Sequence, residues 1–244
     1  MQFLYGIHPV MEAVKAGRRF DKVLLKQGLE GQQFRELYGL LGEKKIPYQF
    51  VPVDRLNRAV RGAHQGVVAY ISQIDYVELE EMVGNAMATT SSPILVILDG
   101  VSDVRNLGAI ARTLECVGGK GIIVPAKGGA AINAEAVKAS AGALMRIDTC
   151  KVPNLRYAAY FLKQSGFSLV AATEKVDKFV YDVDLTGPVA IIMGSEGKGI
   201  SQAMLELADE KAAIPMSGEI GSLNVSTAAA VIMYEAVRQR LQQI

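Results

Sequence analysis

The stretch ILVILDGVSDVRNLGAIAR, residues 94–112, decides the fold. It opens with a continuous apolar run, Ile94–Leu98, that has the length of a strand. After a polar loop, the apolar residues of Leu107–Val117 recur at helical spacing. A strand that is apolar on both faces must be covered on both faces, which is typical of parallel sheets in α/β proteins. The stretch therefore predicts one strand-helix unit of such a sheet.

The same alternation of strands and helices continues downstream. The predicted strands are Gly121–Val124, Arg146–Lys151, Ser168–Ala172, Val189–Met193 and Ala212–Met216, and the predicted helices are Asn133–Ala143, Leu155–Gln164 and Val225–Leu241. We expect residues 93–244 to form one α/β domain, in which helices cover both faces of a mostly parallel sheet.

A smaller α/β unit is predicted upstream, over residues 1–75. Helical patterns cover Gly6–Ala16, Gln32–Lys44 and Asp54–Val60, with Asp54 as an N-cap, and strand patterns cover Lys22–Leu25, Tyr48–Val51 and Val67–Ile71. Residues 76–92 end in the small, polar run MATTSS before Pro93. Although Tyr76–Met87 has room for a short helix, we interpret residues 76–92 as an interdomain linker.

Composition narrows the class of protein. Of the 244 residues, 50% are hydrophobic and 21% are charged, which suits a folded protein with a sizeable core. The N-terminus lacks the order of a signal peptide, and no run of about 18 apolar residues predicts a membrane span. Cys116 and Cys150 form no CxxC motif, and His8 and His64 have no cluster of cysteines or carboxylates nearby. We therefore expect a cytoplasmic protein without a metal site or a membrane role.

Charge differs between the two predicted units. Residues 1–75 carry eleven Lys/Arg and seven Asp/Glu, a net +4, whereas the remainder carries 15 and 18, a net −3. A mildly basic first unit is compatible with binding phosphates, although an ordinary solvated surface has the same composition.

Three loops at the predicted ends of apolar strands stand out. They span residues 99–112, 191–199 and 214–226. Ligands of open α/β sheets bind at the carboxyl ends of strands, so these loops are candidates for a site. The glycine-rich loop Gly194–Gly199 is neither a Walker A loop nor a dinucleotide-binding GxGxxG motif, because its spacing fails for both. What remains is a turn whose backbone can approach a ligand closely.

In order and spacing, these loops resemble the three motifs of the SpoU (TrmH-type) family of RNA 2′-O-methyltransferases. The resemblance covers Leu98–Arg112, Val189–Ser201 and Ile214–Glu235. The segments GIHPVMEAV (residues 6–14) and HQGVVA (residues 64–69) are similar to the RNA-binding domain of the members that modify a guanosine of 23S ribosomal RNA. One departure is Val104, where the first motif usually has proline.

The resemblance implies a methyltransferase that uses S-adenosylmethionine and transfers its methyl group to a guanosine of 23S ribosomal RNA. It further implies a C-terminal trefoil knot, a homodimer with the active site near the interface, and an N-terminal domain that selects the RNA. The implied donor-binding residues are Gly194, Ile214 and Leu223, with Gly199 and Met216 in the same loops, and the implied polar site comprises Asn106, Arg112, Glu196, Ser222 and Asn224.

Arg112 is the family's key catalytic residue, and its chemistry limits its role. A guanidinium group accepts no proton at ordinary pH. We therefore expect Arg112 to hold an RNA phosphate and to stabilise the developing 2′-alkoxide, with Glu196 orienting either Arg112 or a loop amide. Simpler interpretations stay open. Arg112 and Glu196 could be solvated surface groups, Asn106 could be a helix N-cap, and Ser222 and Asn224 could be turn residues.

Other functions within this fold also stay open. A non-catalytic RNA-binding member would need a damaged polar site, whereas all five polar residues are present here. A tRNA-modifying member, or one acting on another rRNA nucleotide, is a closer alternative, but the minimal tRNA enzymes lack the N-terminal unit. A resistance methyltransferase acting on a ribosomal adenosine would have a similar architecture.

Overall fold

The computed structural model describes residues 3–242. The chain divides into two compact units. The first comprises residues 3–73 together with 132–134, and the second comprises residues 74–131 and 135–242.

The first unit is a four-stranded sheet with helices on both faces. Its elements are β1 (Phe3–Tyr5), α1 (Ile7–Lys15), β2 (Phe20–Lys26), α2 (Gln32–Glu43), β3 (Tyr48–Val51), α3 (Val53–Ala59) and β4 (Val67–Ile71). The strand order is β1-β4-β2-β3. Strand β4 runs antiparallel to β1 and β2, whereas β3 runs parallel to β2. Helices α1 and α2 pack on one face, and α3 packs on the other.

Two details of this unit differ from the prediction. Strand β1 has only three residues and was not predicted. Helix α3 begins at Val53 with Pro52 at its N-cap, so Asp54 lies in the first turn and is not the cap. There its carboxylate still faces the positive end of the helix dipole, which explains the acidic residue at this position.

The second unit contains the predicted parallel sheet. Its elements are α4 (Leu79–Thr89), β5 (Ile94–Asp99), α5 (Val104–Cys116), β6 (Gly121–Pro125), α6 (Ala134–Ala139), β7 (Asp148–Val152), α7 (Leu155–Gln164), β8 (Ser168–Ala172), β9 (Val189–Gly194), α8 (Gln202–Leu207), β10 (Glu210–Ala212) and α9 (Val225–Leu241). The order is β10-β8-β9-β5-β6-β7, and every pair is parallel.

Burial of the central strand explains why helices cover both faces. Residues Ile94–Leu98 are all buried. Leu95 and Ile97 belong to the core formed with α4, α7 and α8. Because side chains alternate along a strand, the other residues of β5 face the opposite side, where α9 packs against β9 and α5 packs against α9. The predicted α/β architecture is confirmed.

The predicted linker is wrong, because most of it is helix α4. This helix buries Leu79, Met82, Val83 and Ala86 in the core of the second unit. The polar run before Pro93 only ends the helix. Three further bounds differ: the strand predicted at 212–216 is β10 and ends at Ala212, the helix predicted at 133–143 is the shorter α6, and the strand predicted at 146–151 is β7.

Truncation tests the place of α4. A fragment beginning at Ile74 should unfold cooperatively, whereas one beginning at Ser91 should not. The longer fragment keeps Leu79, Met82 and Val83, whose burial stabilises the fold by about 5–9 kcal/mol in total. That is comparable to the whole free energy of unfolding of a typical domain, about 5–15 kcal/mol. Urea titration followed by circular dichroism measures both fragments. Equal midpoints would contradict the packing of α4.

The C-terminal helix fixes the chain where it enters β9. The side chain of Gln239 donates a hydrogen bond to the carbonyl of Val183 (2.8 Å) and accepts one from the amide of Leu185 (2.8 Å). It also donates to buried Glu235, which accepts two further hydrogen bonds from Arg238. The bonds from Arg238 lower the pKa of Glu235 below its ordinary value, against the effect of burial, so the carboxylate stays charged.

The remaining expectations concern cysteines, metals and membranes. Both cysteines are free thiols, and burial raises the pKa of Cys150 to about 12. His64 is buried and bonded to the Asn57 side chain and the Gly66 amide, a structural role. Within residues 3–242, no group of three His, Cys, Asp or Glu side chains is placed to hold a metal ion, and none of the helices there has the length and apolarity of a membrane span.

Candidate active site

A pocket of about 450 Å³ opens at the carboxyl ends of three neighbouring strands, β8, β9 and β10. Its volume is within the range of small-molecule sites. The walls come from the loops after these strands and from the start of α9. The lining residues are Ala172–Lys175, Met193–Gly199, Ala212, Ile214, Met216, Gly221–Val225, Ala228 and Ile232.

The floor of the pocket is a tight turn that requires glycine. A Cβ atom on Gly194 would lie 2.2 Å from the carbonyl carbon of Gly199 and 2.3 Å from the amide nitrogen of Ile200. These are backbone atoms, so no side chain can move aside. The turn is closed by two backbone hydrogen bonds between Ser195 and Gly199, of 3.1 and 2.9 Å. The chain therefore folds back on itself at this point and exposes backbone groups to the pocket.

Three polar side chains from three separate loops meet beside the pocket. The side-chain amide of Asn106 donates to Oε1 of Glu196 (2.9 Å), and that of Asn224 donates to the same oxygen (2.8 Å). Asn224 also donates to Oδ1 of Asn106 (3.0 Å). Its own Oδ1 accepts from the amide and the hydroxyl of Ser226 and so caps α9. We call Asn106, Glu196 and Asn224 the polar triad.

Local backbone contacts place Asn106 in the triad. The carboxylate of Asp103 accepts from the amides of Arg105 (2.8 Å) and Asn106 (2.9 Å), so Asp103 is the N-cap of α5. The sequence suggested Asn106 as a possible N-cap, but the structure shows that it is not the cap. Val104 occupies the first helical position, where proline is favoured for its fixed φ. The cap from Asp103 holds the turn without that proline.

A second contact joins the first two loops. The side chain of Asp99, at the end of β5, accepts from the amide of Ser201 (2.7 Å). Asp99 is paired with Gly194 in the sheet register, so this bond holds the end of the glycine-rich turn against the neighbouring strand.

Most of the predicted site residues lie together. Eight of them line the pocket: Gly194, Glu196, Gly199, Ile214, Met216, Ser222, Leu223 and Asn224. Asn106 joins them through its hydrogen bonds to Glu196 and Asn224.

Arg112 lies apart from this group. It is exposed on α5 and forms no hydrogen bond or ion pair with residues 3–242. Six positions after Asn106, it lies about 9 Å further along the helix and about 120° around it. Glu196 accepts from the two amides of the triad and forms no bond to Arg112 within residues 3–242, so its suggested role of orienting Arg112 stays a prediction.

The lining residues Ala172–Lys175 were missed by the sequence reasoning. Their signal was present, since they follow a predicted strand and therefore end at the same edge of the sheet as the other loops. The segment lacks glycine and resembles no motif used in the prediction. It adds Glu174 and Lys175 to the rim, where both are exposed.

The family description of the SpoU rRNA methylases matches residues 93–234, which include the whole pocket and the polar triad. The chain belongs to the SpoU rRNA methylase family. A second family description, RNA 2′-O ribose methyltransferase substrate binding, matches residues 3–77. The protein is thus an RNA methyltransferase of the SpoU/TrmH type with a substrate-binding unit.

Relatives of this SpoU protein extend over nearly its full length. A putative TrmH family tRNA/rRNA methyltransferase of Staphylococcus saprophyticus is 34% identical, over 97% of this chain and 95% of the relative. YacO of Bacillus subtilis, which has the same description, is 33% identical over 98% and 96%. Both alignments extend over the two units of this chain.

Solved structures agree with the fold. The SpoU methyltransferase AviRb from Streptomyces viridochromogenes, in complex with its cofactor AdoMet, matches with a TM-score of 0.63 and 27% identity, over 98% of this chain and 90% of that one. The TrmH/SpoU tRNA modifying enzyme of A. aeolicus matches with a TM-score of 0.57 and 32% identity, over 68% of this chain and 85% of that one.

Asn224→Ser separates the two contacts of this residue. Serine caps a helix as well as asparagine, so the free energy of unfolding in urea should change by less than about 0.5 kcal/mol. Serine lacks the amide that donates to Glu196 and Asn106, so methyl transfer should slow. Asn224→Ala, the matched variant, should also lose about 0.5–2 kcal/mol of stability with the cap. A serine variant with full activity would exclude a role of the amide in the site.

Proposed function

We propose that this protein transfers a methyl group from S-adenosylmethionine to the ribose 2′-hydroxyl of a guanosine in 23S ribosomal RNA. The observation that carries the proposal is the glycine-floored pocket directly beside the polar triad, within the part of the chain matched by the SpoU family. A donor pocket and a set of polar groups for the acceptor are the two parts that this reaction needs.

The pocket fits S-adenosylmethionine. Its apolar wall includes Ile214 and Leu223. The turn that Gly194 allows to close adds Gly197 and Gly199, which have no side chain, to the lining. Such a site offers peptide groups to the adenine and methionine parts of the donor. When bound, the donor supplies a methyl group already activated by its sulfonium. The methyl acceptor is a hydroxyl, so the chain's own residues have only to position it and help remove its proton.

The polar triad and Ser222 orient the ribose in this proposal. Because Glu196 already accepts from two amides, the triad is held in one arrangement before RNA binds. Arg112 holds an RNA phosphate and stabilises the developing alkoxide. Among residues 3–242 its guanidinium has no partner, which leaves it free for RNA.

Two observations favour a homodimer with the site near the interface. Arg112 lies away from the polar triad of its own protomer. An RNA that spans two protomers could contact the triad of one and Arg112 of the other. Exposed apolar side chains also remain near the pocket and on α9, among them Ile220, Leu223, Tyr234 and Leu241. The trefoil knot belongs to the same proposal and would enclose the loops around the pocket. An RNA substrate suits the cytoplasmic location predicted from the sequence.

A ribosomal substrate is favoured by the first unit. The tRNA modifying enzyme of A. aeolicus resembles only 68% of this chain, whereas residues 3–77 match the substrate-binding description. The second candidate is a tRNA or another ribosomal nucleotide, since the curated relatives are called tRNA/rRNA methyltransferases.

Incubation with labelled donor separates these substrates. Purified 23S rRNA, 16S rRNA and tRNA lacking the modification are offered in parallel, and primer extension at low nucleotide concentration maps 2′-O-methyl stops. We expect label in 23S rRNA at one guanosine. Label confined to tRNA, or a stop at an adenosine, would contradict the substrate proposed here.

A further inference from the structure

Four aromatic rings form a continuous patch on the first unit. Phe34 and Tyr38 lie one turn apart on α2, and Tyr48 and Phe50 lie on one face of β3. Ring centroids are 5.2 Å apart for Tyr38 and Tyr48, 6.0 Å for Tyr48 and Phe50, and 6.4 Å for Phe34 and Phe50. These three pairs meet edge to face, an arrangement that covers one face of only one ring in each pair. We call these four residues the aromatic patch.

The patch is anchored on one side and open on the other. Phe34 packs against the core of the first unit, whereas Tyr38, Tyr48 and Phe50 expose 40%, 39% and 41% of their surface. Strand β3 is at the edge of its sheet, so no neighbouring strand flanks it on that side. The two tyrosine hydroxyls lie 3.0 Å apart and share a hydrogen bond, which raises the pKa of Tyr48. The rings are therefore uncharged and held in place.

The segment that carries the patch, residues 32–51, has three basic and two acidic residues. Glu36 and Glu43 are the two acidic residues of 32–51, and each is paired with a lysine, at 2.9 and 3.5 Å. Arg35 and Lys45 form no ion pair with any residue that the structure describes. Exposed rings and unpaired cations in one segment match the composition of surfaces that bind single-stranded nucleic acid, where bases stack on rings and cations meet phosphates.

We propose that the aromatic patch is a stacking platform for unpaired bases of the substrate RNA. The inference rests on the proposed function, because it requires an RNA substrate. It identifies the kind of RNA that the first unit selects: a loop or strand with bases free to leave their helix. In double-stranded RNA the faces of the bases are stacked within the helix, so the patch would discriminate against it. Arg35 and Lys45 favour RNA over a second protein as the ligand of the patch. Their charges can bind phosphates, but they would not stabilise a contact with the apolar face of a protein.

Leucine substitution tests stacking without removing apolar surface. The full-length Tyr48→Leu/Phe50→Leu variant keeps side chains of similar bulk but has no rings at these positions. Tyr160→Leu on α7 is the matched control, since Tyr160 is 50% exposed and lies outside the patch. The probe is a 12-nucleotide uridine RNA with one central 2-aminopurine, whose fluorescence is quenched by stacking. The same probe annealed to its complement is the second ligand. Urea titration followed by circular dichroism checks that the first unit of each variant is folded, and calorimetry with S-adenosylmethionine checks the second unit.

We expect the parent and Tyr160→Leu to quench the single-stranded probe and to bind its duplex weakly. The double variant should lose the quenching, and its Kd for the single strand should rise at least about fivefold. Unchanged quenching and affinity in the double variant would overturn the platform and leave the proposed function intact. If the double variant instead became monomeric while keeping its RNA affinity, the patch would be a contact between copies, which also overturns it. A parent that bound donor but no RNA, including 23S rRNA, would overturn the platform and the proposed function together.

Discussion

Arg112→Ala is expected to lower the rate constant of methyl transfer by about 100-fold or more, because losing one preorganised group that stabilises an oxyanion costs about 2.7–4 kcal/mol. The Kd for S-adenosylmethionine should stay within about twofold of the parent value. Arg112 is not among the residues that line the pocket and has no partner within residues 3–242, so its removal leaves the pocket walls intact. Single-turnover kinetics with labelled donor and calorimetry measure the two quantities.

Arg112→Lys distinguishes the two roles of this residue. Lysine keeps the charge but lacks the planar fork that holds a phosphate and a ribose oxygen at once. We expect poor rescue at neutral pH and no steep gain at higher pH. If Arg112 acted as a base, a lysine there would gain activity as pH rose toward its pKa, about 10.4. A rate that climbs in that way would overturn the phosphate-binding role. Arg156→Ala, an exposed arginine on α7, is the control and should leave the rate unchanged.

Gly194→Ala should abolish donor binding, with a Kd for S-adenosylmethionine raised by about 100-fold or more. The added Cβ would lie 2.2 Å from the backbone of Gly199, so the turn must open, and overpacking typically costs about 1–3 kcal/mol, more where backbone cannot yield. Valine at this position should be worse still, since its branched Cβ adds two methyl groups. Methyl transfer should fall in parallel.

Gly218→Ala is the matched control for this substitution. Nothing lies within 4 Å of the Cβ that it would add, and the residue is outside the pocket lining. Its donor affinity and its urea midpoint should equal those of the parent. Calorimetry with both S-adenosylmethionine and its demethylated product measures binding. Normal binding by Gly194→Ala would show that the turn at Gly194 does not form the donor site.

Local patterns were enough to predict the core of the fold. The apolar runs of β5 and β9 are short and fully buried, so composition alone distinguishes them from the surface. Helix α4 was misassigned because its C-terminal turn is followed by small polar residues typical of a linker. What makes it part of the second unit is the burial of Leu79 and Met82 against distant strands, which a local pattern does not contain.

The loops that form the site were predictable from the sequence, but the hydrogen bonds between their side chains were not. Parallel topology brings the ends of β8, β9 and β10 together, so residues such as Gly194 and Leu223 were expected there. The polar triad joins residues 90 and 118 positions apart. The cap of α5 also depends on the conformation of the turn: Asp103 and Asn106 are both residue types that favour an N-cap, and in the structure Asp103 occupies that position.

The position of the transferred methyl group tests the central claim most directly. The protein is incubated with S-adenosylmethionine carrying a deuterated methyl group and with unmodified 23S rRNA, and the digested RNA is analysed by mass spectrometry. The proposed function predicts deuterium in 2′-O-methylguanosine at one position, within a dinucleotide that resists alkali because its 2′-oxygen is blocked. Deuterium on a base, or no transfer to RNA by a protein that binds the donor, would contradict it.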